Sequence, residues 1–216
     1  VRNLPVDQPQ NAELFYTIEI LDEAIERNRQ VVFHYGDYGT DKNLHLRERK
    51  DGKPLEYLVN PYQMVATNGR YYLIANVERH DNISHYRVDH IRDIEITNTP
   101  AKPQRKVEGL ENGLDLPKHM AEHVYMFAGE SQRVIMRTTP GMAGELIDWF
   151  GSGVTFSDET ETSVIAHVTA NSQAMRFWAL QYAPYVTVLA PQSLVNMVKE
   201  DLTLASEKYH NDSEVK

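Results

Sequence analysis

Residues 60–74 have the sequence NPYQMVATNGRYYLI, which predicts two strands joined by a tight turn. Apolar and aromatic side chains fill both arms, and Asn68-Gly69 between them tolerates the positive φ of a two-residue hairpin. The predicted strands extend over about 55–66 and 70–78. The hairpin therefore indicates an antiparallel sheet.

The segments around the hairpin extend this sheet. Residues 11–28 carry apolar side chains at helical spacing, which predicts an amphipathic helix. Strands are predicted near 31–35, 43–50 and 84–97, where β-branched and aromatic residues alternate with turn signals. One helix and five short strands predict a strongly bent sheet or barrel of the SH3/Sm kind.

The second half of the chain has a different order of elements. Pro and Gly punctuate residues 98–122, which predicts a linker with room for a short helix. Beyond it the predicted order is strand, helix, strand, strand, helix, strand, which is the ferredoxin-like order. Its boundaries are strand 133–138, a helix begun by Thr139-Pro140 and ended at Gly151, strands 153–157 and 163–169, a helix capped by Asn171 or Ser172, strand 186–189, and a last helix opened by Pro191.

These elements predict an α+β protein of two domains. Residues 12–99 form the barrel domain, residues 100–122 the linker, and residues 123–210 the ferredoxin-like domain. The chain starts at Val1 rather than Met, so we expect the natural protein to continue before this residue.

Composition limits the classes of function. The net charge of −9 argues against general binding of nucleic-acid duplexes, which depends on surplus Lys and Arg. Residues 25–99 are balanced, with eleven basic and eleven acidic side chains, so any surface that meets an anion is expected to belong to this segment. The chain has no Cys and no apolar run of the length that a membrane span needs, which fits a cytoplasmic protein.

The strand around residue 87 carries the clearest candidate site. Alternation places His85, Arg87 and Asp89 on one face and His90 on the other. Arg87 can present a fork of donors to phosphate with Asp89 holding it, or the two can form an ordinary surface pair.

Two further groups are candidates for contacts with an anionic ligand. His45, Arg47 and Arg49 form a basic stripe, suited to backbone phosphates or to the protection of an exposed edge strand. Tyr71 and Tyr72 point to opposite strand faces, so at most one of them stacks on a ligand while the other packs. Tyr35 has the same two interpretations.

Signs of catalysis or metal binding are weak. The sequence has neither a Gly-rich phosphate loop nor a Gly-x-Ser-x-Gly elbow, so we expect no catalytic residues and no cofactor. His119 and His123 stand four residues apart without a clear third ligand, and we expect no metal there.

Several motifs together resemble the WYL family. The triplet Tyr71-Tyr72-Leu73 is similar to its Trp-Tyr-Leu signature, and residues 84–91 resemble its aromatic-Arg-hydrophobic-Asp-Arg-Ile strand. Residues 148–151 and 186–191 resemble the extension that follows many WYL domains, so the resemblance covers about residues 17–205. His90 stands where the family has a second Arg, which replaces a fixed charge with one that titrates near neutrality.

The resemblance implies the effector-sensing and dimerisation region of a bacterial transcription regulator. Its implied ligand is a nucleotide or a single-stranded nucleic acid, and duplex DNA would be bound only through a helix-turn-helix domain outside this chain. The predicted ligand-binding residues are Arg87, His85, Arg47, Arg49, Tyr72, Tyr71, His90 and Tyr35. Two alternatives stay open: a stand-alone Sm-like module for single-stranded RNA, and a structural dimerisation module without a ligand.

Overall fold

The computed structural model describes residues 12–67 and 69–211. They divide into two compact units, with the boundary between Gly113 and Leu114. Each unit combines helices with an antiparallel sheet, which confirms the predicted mixture of helix and sheet. Asn68 of the predicted turn lies outside the described residues, and Gly69 after it has a φ of 70°.

The described residues of the first unit form one α-helix and six strands. In chain order they are α1 (Ala12–Glu26), β1 (Arg29–Tyr38), β2 (Leu44–Leu46), β3 (Glu56–Thr67), β4 (Arg70–Val77), β5 (Ile83–Arg87) and β6 (Ile91–Pro100). β1 pairs with β2, β3 and β6, and the sheet continues from β3 through β4 to β5.

This sheet is open, which corrects the expectation of a closed barrel. Within the described residues β5 pairs with β4 and β6 pairs with β1, but no ladder joins β5 to β6. The single strand predicted at 84–97 is also wrong, because a 3₁₀ turn at Val88–His90 divides it. The turn is needed because the chain leaves one side of the sheet at β5 and enters the other at β6.

The predicted strand at 43–50 is shorter than expected. β2 ends at Leu46, and only an isolated bridge between Glu48 and Pro54 continues the pairing. The turn at Asp51-Gly52 follows at once, with Gly52 at a φ of 76°. The basic stripe therefore does not lie on one continuous strand.

The core of the first unit lies between α1 and the sheet. Leu21 and Ala24 of α1 are fully buried against strand residues such as Val31, Phe33 and Leu73. This pattern follows from the helical spacing of apolar residues in α1 and their alternation in the strands.

A buried polar network joins the sheet to the segment that follows β6. The Asn60 side chain accepts hydrogen bonds from Gln30 Nε2 (3.0 Å) and the Lys102 backbone N–H (2.8 Å). It donates to Asn76 Oδ1 (3.1 Å) and to Glu78 Oε2 (2.9 Å). The Asn60 amide thus has all its bonding capacity used, as a buried polar group requires.

The segment predicted to be a linker contains ordered structure. It holds a 3₁₀ turn at Gln104–Lys106 and the helix α2 (Leu116–Glu122), whose N-cap Asp115 accepts a bond from the Lys118 backbone. Val107 and Leu110 are buried within the first unit.

The second unit places its helices around a four-stranded sheet. Its elements after α2 are β7 (Ser131–Thr138), α3 (Ala143–Phe150), β8 (Thr155–Ser157), β9 (Val164–Asn171), α4 (Ser172–Gln181), β10 (Thr187–Ala190) and α5 (Gln192–Asn211). The strand order is β10-β7-β9-β8, all antiparallel. Its core includes Met136, Leu146 and the fully buried Trp178.

The predicted helix ends in this unit had different outcomes. Asn171 caps α4 as predicted, since its Oδ1 accepts from the backbone of Gln173 and Ala174. Gly151 ends α3 with a φ of 62°. The cap at Thr139 is wrong, because Thr139 leads into a 3₁₀ turn and makes no side-chain capping bond there.

Candidate ligand site

Arg87 lies at the end of β5 and forms a two-bonded ion pair with Asp89. Its Nε and Nη2 donate to the two Asp89 carboxylate oxygens at 3.1 and 2.6 Å. The side chains are 29% and 24% exposed, so the pair is half-buried. The expected contact between the two forms through the 3₁₀ turn rather than along one strand face. Nη1 is not used by this pair and can serve a second anion.

Two tyrosines flank Arg87. The Arg87 backbone N–H donates to the buried Tyr35 hydroxyl at 3.1 Å. Burial raises the pKa of Tyr35, which keeps this hydroxyl neutral. Tyr72 of β4 stands directly opposite Arg87 in the ladder between β4 and β5, so the two side chains share a face.

Arg47, the residue directly after β2, contacts the same tyrosine. Its guanidinium carbon lies 5.1 Å from the Tyr35 ring centroid, within cation–π range. Its Nε and Nη2 donate to the two Asp37 carboxylate oxygens at 2.7 and 3.1 Å. The hydrogen bond from Arg47 lowers the pKa of Asp37. Tyr35 is therefore the common contact of the two arginines.

An aromatic wall lies behind Tyr35. The Tyr86 ring meets Tyr35 and Phe33 edge-to-face at centroid distances of 5.3 and 5.2 Å. Tyr57 packs against the same rings, at 5.8 Å from both Phe33 and Tyr86. Burial raises the pKa of Tyr86 to about 12. The raised pKa values of Tyr35 and Tyr86 make these two phenols neutral packing groups at neutral pH.

His90 closes the cluster as a neutral imidazole. Its Nδ1 donates to the Gly36 carbonyl at 2.8 Å, and its ring lies 5.6 Å from Tyr35 and 5.2 Å from Tyr38. Burial and the nearby Arg87 charge lower the pKa of His90. Its Nε2 is buried and has no hydrogen-bond partner among the described residues.

Four of the predicted ligand residues lie apart from this cluster or at its margin. His45 bonds Asp41 at 3.0 Å and Arg49 faces Asp51 at 3.7 Å, so each of these side chains has a carboxylate partner of its own. Tyr71 is exposed on the strand face opposite Tyr72. His85 lies two residues before Arg87 on β5, opposite Ile74.

Sequence reasoning missed three members of the cluster: Asp37, Tyr57 and Tyr86. Asp37 lies two residues after Tyr35 on β1, a spacing that places both on one strand face. In the sequence, Tyr57 and Tyr86 are recognisable only as aromatic residues of predicted strands, which does not mark them as members of a site. Their convergence depends on strand register, which a single sequence does not specify.

The His pair of α2 makes a stacked contact. The rings of His119 and His123 are 4.0 Å apart at 19°. Burial, and then the nearby His123, lower the pKa of His119 to about 4. Within residues 12–67 and 69–211 no group of three or more His, Cys, Asp or Glu side chains is placed to hold a metal ion. No helix of this described part is long and apolar enough to cross a membrane.

Comparison with protein-family models identifies two domains in this chain. The family model described as the WYL domain matches residues 16–96, and the WCX domain model matches residues 130–205. Together the two matches take in most of the chain. The chain therefore contains a WYL domain followed by a WCX domain.

Several solved structures are similar to the chain, among them the following two. The proteasome accessory factor B/C (PafBC) of Arthrobacter aurescens has 18% sequence identity over 97% of this chain, with a TM-score of 0.35. A CRISPR Cas-related protein has 11% identity over 94% of this chain, with a TM-score of 0.52, which is a likeness of fold alone. The chain spans 29% of the length of the first structure and 54% of the second. No curated protein matches the chain.

Proposed function

We propose that this chain is the effector-sensing region of a bacterial transcription regulator, with a nucleotide or a single-stranded nucleic acid as its ligand. The proposal depends on Arg87, because its side chain is partly exposed, forms an ion pair with Asp89 and lies beside Tyr72. The WYL and WCX domains support the regulatory role. Contacts with duplex DNA belong to a helix-turn-helix domain outside these residues.

The proposed site combines a phosphate donor with an aromatic surface. Arg87 offers Nη1 and the second N–H of Nη2 to a phosphate, since Asp89 uses only two of its five donors. The Tyr72 ring on the same face suits stacking on a base. His85 extends this face along β5. Arg47 contributes positive charge near Tyr35, and Arg49 and Tyr71 have no part in the site.

Ligand binding changes the balance of charge in the site. Arg87 and Arg47 are compensated by Asp89 and Asp37, so the free site is close to neutral. A phosphate that takes donors of Arg87 competes with Asp89 in the 3₁₀ turn. The turn is the two-state element through which the ligand favours one arrangement of the protein. The regulator is a cytoplasmic protein without catalytic activity. It acts as a homodimer, since paired DNA-binding domains match paired half-sites.

We further propose that the first unit is a variant of the Sm-like sheet and that the second has the ferredoxin-like arrangement. The 3₁₀ corner between β5 and β6 supports the first assignment. The strand order β10-β7-β9-β8 with α3 and α4 as crossovers supports the second.

Fluorescence anisotropy tests the proposal. Labelled single-stranded DNA and RNA oligomers and a matched duplex are titrated with the protein, and unlabelled mono- and cyclic nucleotides serve as competitors. Arg87→Ala should weaken binding of single strands or nucleotides by roughly 10- to 150-fold, since a charge-assisted contact contributes about 1.5–3 kcal/mol.

Arg27→Ala is the matched control, because it removes the same charge from an exposed pair with Glu23 on α1. It should leave the affinity unchanged, and Arg87→Ala should keep its melting temperature within a few degrees of the parent protein. Binding that is equally strong in Arg87→Ala, or the absence of binding to every ligand in the panel, would refute the site.

A further inference from the structure

The second unit contains an open aromatic groove, called the aromatic cavity below, that the proposed function does not use. Its volume is about 370 Å³, and it is lined by Tyr125, Phe127, Phe177 and Gln181. The Phe127 and Phe177 rings are parallel, at 8° and 5.5 Å between centroids. Phe177 is nevertheless 49% exposed, although the unit has a well-packed core elsewhere.

A strained turn builds one wall of this cavity. Tyr125 and Met126 follow one another with φ values of 60° and 57°, in the left-handed region that costs free energy for residues other than Gly. The turn buries Met126 and directs the Tyr125 hydroxyl to Gln181 Oε1 at 2.8 Å. Strain of this kind persists where the surrounding contacts hold a particular geometry.

The surroundings of Tyr125 are fixed by hydrogen bonds. Its ring lies 5.3 Å from the Trp149 ring, and the Trp149 indole N–H donates to Glu145 Oε1 at 2.8 Å. The Tyr182 hydroxyl donates to the same Glu145 oxygen. The wall behind the cavity is therefore pre-organised, which lowers the entropic cost of binding a flat ligand.

We propose that this cavity binds an uncharged planar heteroaromatic ring of the purine-nucleoside type. Three of the four lining side chains are aromatic and none is charged, so a flat neutral ring matches the cavity better than an ion. The Tyr125 hydroxyl donates to Gln181, and its oxygen can still accept a bond from the edge of a heterocycle. Gln181 lies four residues after Phe177 on α4, so one helix face presents both the ring and the polar edge.

The inference is independent of the Arg87 site, because all four lining residues belong to the second unit. Adenosine is the probe, since it carries the ring without a phosphate. Binding is measured by calorimetry and by the two tryptophan indole N–H resonances in nitrogen–proton NMR spectra. Trp149, which contacts Tyr125, should shift on titration, and the fully buried Trp178 should shift less.

Three variants test whether adenosine binds in this cavity. Phe177→Leu removes one ring of the cavity and should weaken adenosine binding roughly 5- to 150-fold, which corresponds to the loss of about 1–3 kcal/mol of base–aromatic stacking. Phe156→Leu is the control, because Phe156 is a 38% exposed phenylalanine of the same unit that does not line the cavity. Arg87→Ala should bind adenosine like the parent protein.

Adenosine binding that is unchanged in Phe177→Leu, or no saturable binding to the parent protein, would overturn the inference. Loss of adenosine binding in Arg87→Ala alone would also overturn it, and would assign the ligand to the first unit with the proposed function intact. Melting curves of each variant show whether a loss reflects unfolding.

Discussion

Asn60→Asp is an almost isosteric change that should destabilise the first unit in a pH-dependent way. The amide nitrogen of Asn60 donates to Glu78 Oε2 at 2.9 Å, and the substitution puts a carboxylate oxygen in its place. Two unit charges at this separation repel by about 6 kcal/mol at an effective dielectric constant of 20. The new carboxyl therefore takes up a proton, and its pKa rises well above the unfolded value of about 3.9.

The size of the effect follows from this pKa. If the folded-state pKa reaches about 7, the variant loses about 4 kcal/mol of unfolding free energy at pH 8 and about 1.5 kcal/mol at pH 5. The sign follows from proton binding: the folded state binds the extra proton more tightly, so stability falls as pH rises from 4 to 7. The loss stays constant above the folded-state pKa.

Denaturant unfolding at pH 5 and pH 8 measures this difference. The transition is monitored by the near-ultraviolet circular dichroism of the tyrosines. Both tryptophans lie in the second unit, so tryptophan fluorescence follows the unfolding of that unit. Asn98→Asp, at an exposed position of β6, is the control and should change stability by less than about 0.5 kcal/mol. An equal loss at both pH values would refute the argument from Glu78.

Two further changes test single contacts. Tyr35→Phe keeps the ring under Arg47 but removes the acceptor of the Arg87 backbone N–H, so we expect a loss of about 1–2 kcal/mol in denaturant unfolding and weaker ligand binding; unchanged values for both would contradict the role of this hydroxyl. For His119, whose pKa is lowered to about 4 by burial, stability of the second unit should fall below pH 6.5 by about 1.4 kcal/mol per pH unit. His119→Gln should flatten that slope in tryptophan-monitored unfolding, while His210→Gln, at an exposed position of α5, should keep it; a slope retained in His119→Gln would assign it to another group.

Local signals predicted most of the elements of this fold. The amphipathic spacing in α1, the Asn171 cap and Gly151 at the end of α3 each depend on neighbours in sequence, and all three appear in the structure. The 3₁₀ turn at Val88–His90 was not predictable in this way. The strand breaks where the chain changes partners, because β5 pairs with β4 and the following β6 pairs with β1.

The candidate site shows the same division. The pairing of Arg87 with Asp89 could be foreseen, because the two are close in sequence. The meeting of Arg47 with Tyr35 could not, since it depends on how β2 lies along β1. The carboxylate partners of His45 and Arg49 also escaped prediction, because the basic stripe in the sequence does not show which acidic side chains fold against it.

The 3₁₀ corner that holds Asp89 and His90 also limits how this protein can diverge. Arg87, Asp89 and His90 belong to one short segment in which β5 ends and β6 begins. An insertion or deletion there would shift β6 against β1 and reverse which of its side chains face the core. Relatives with other ligands should therefore differ by substitutions at these positions, while changes of loop length accumulate in the hairpin around Gly52.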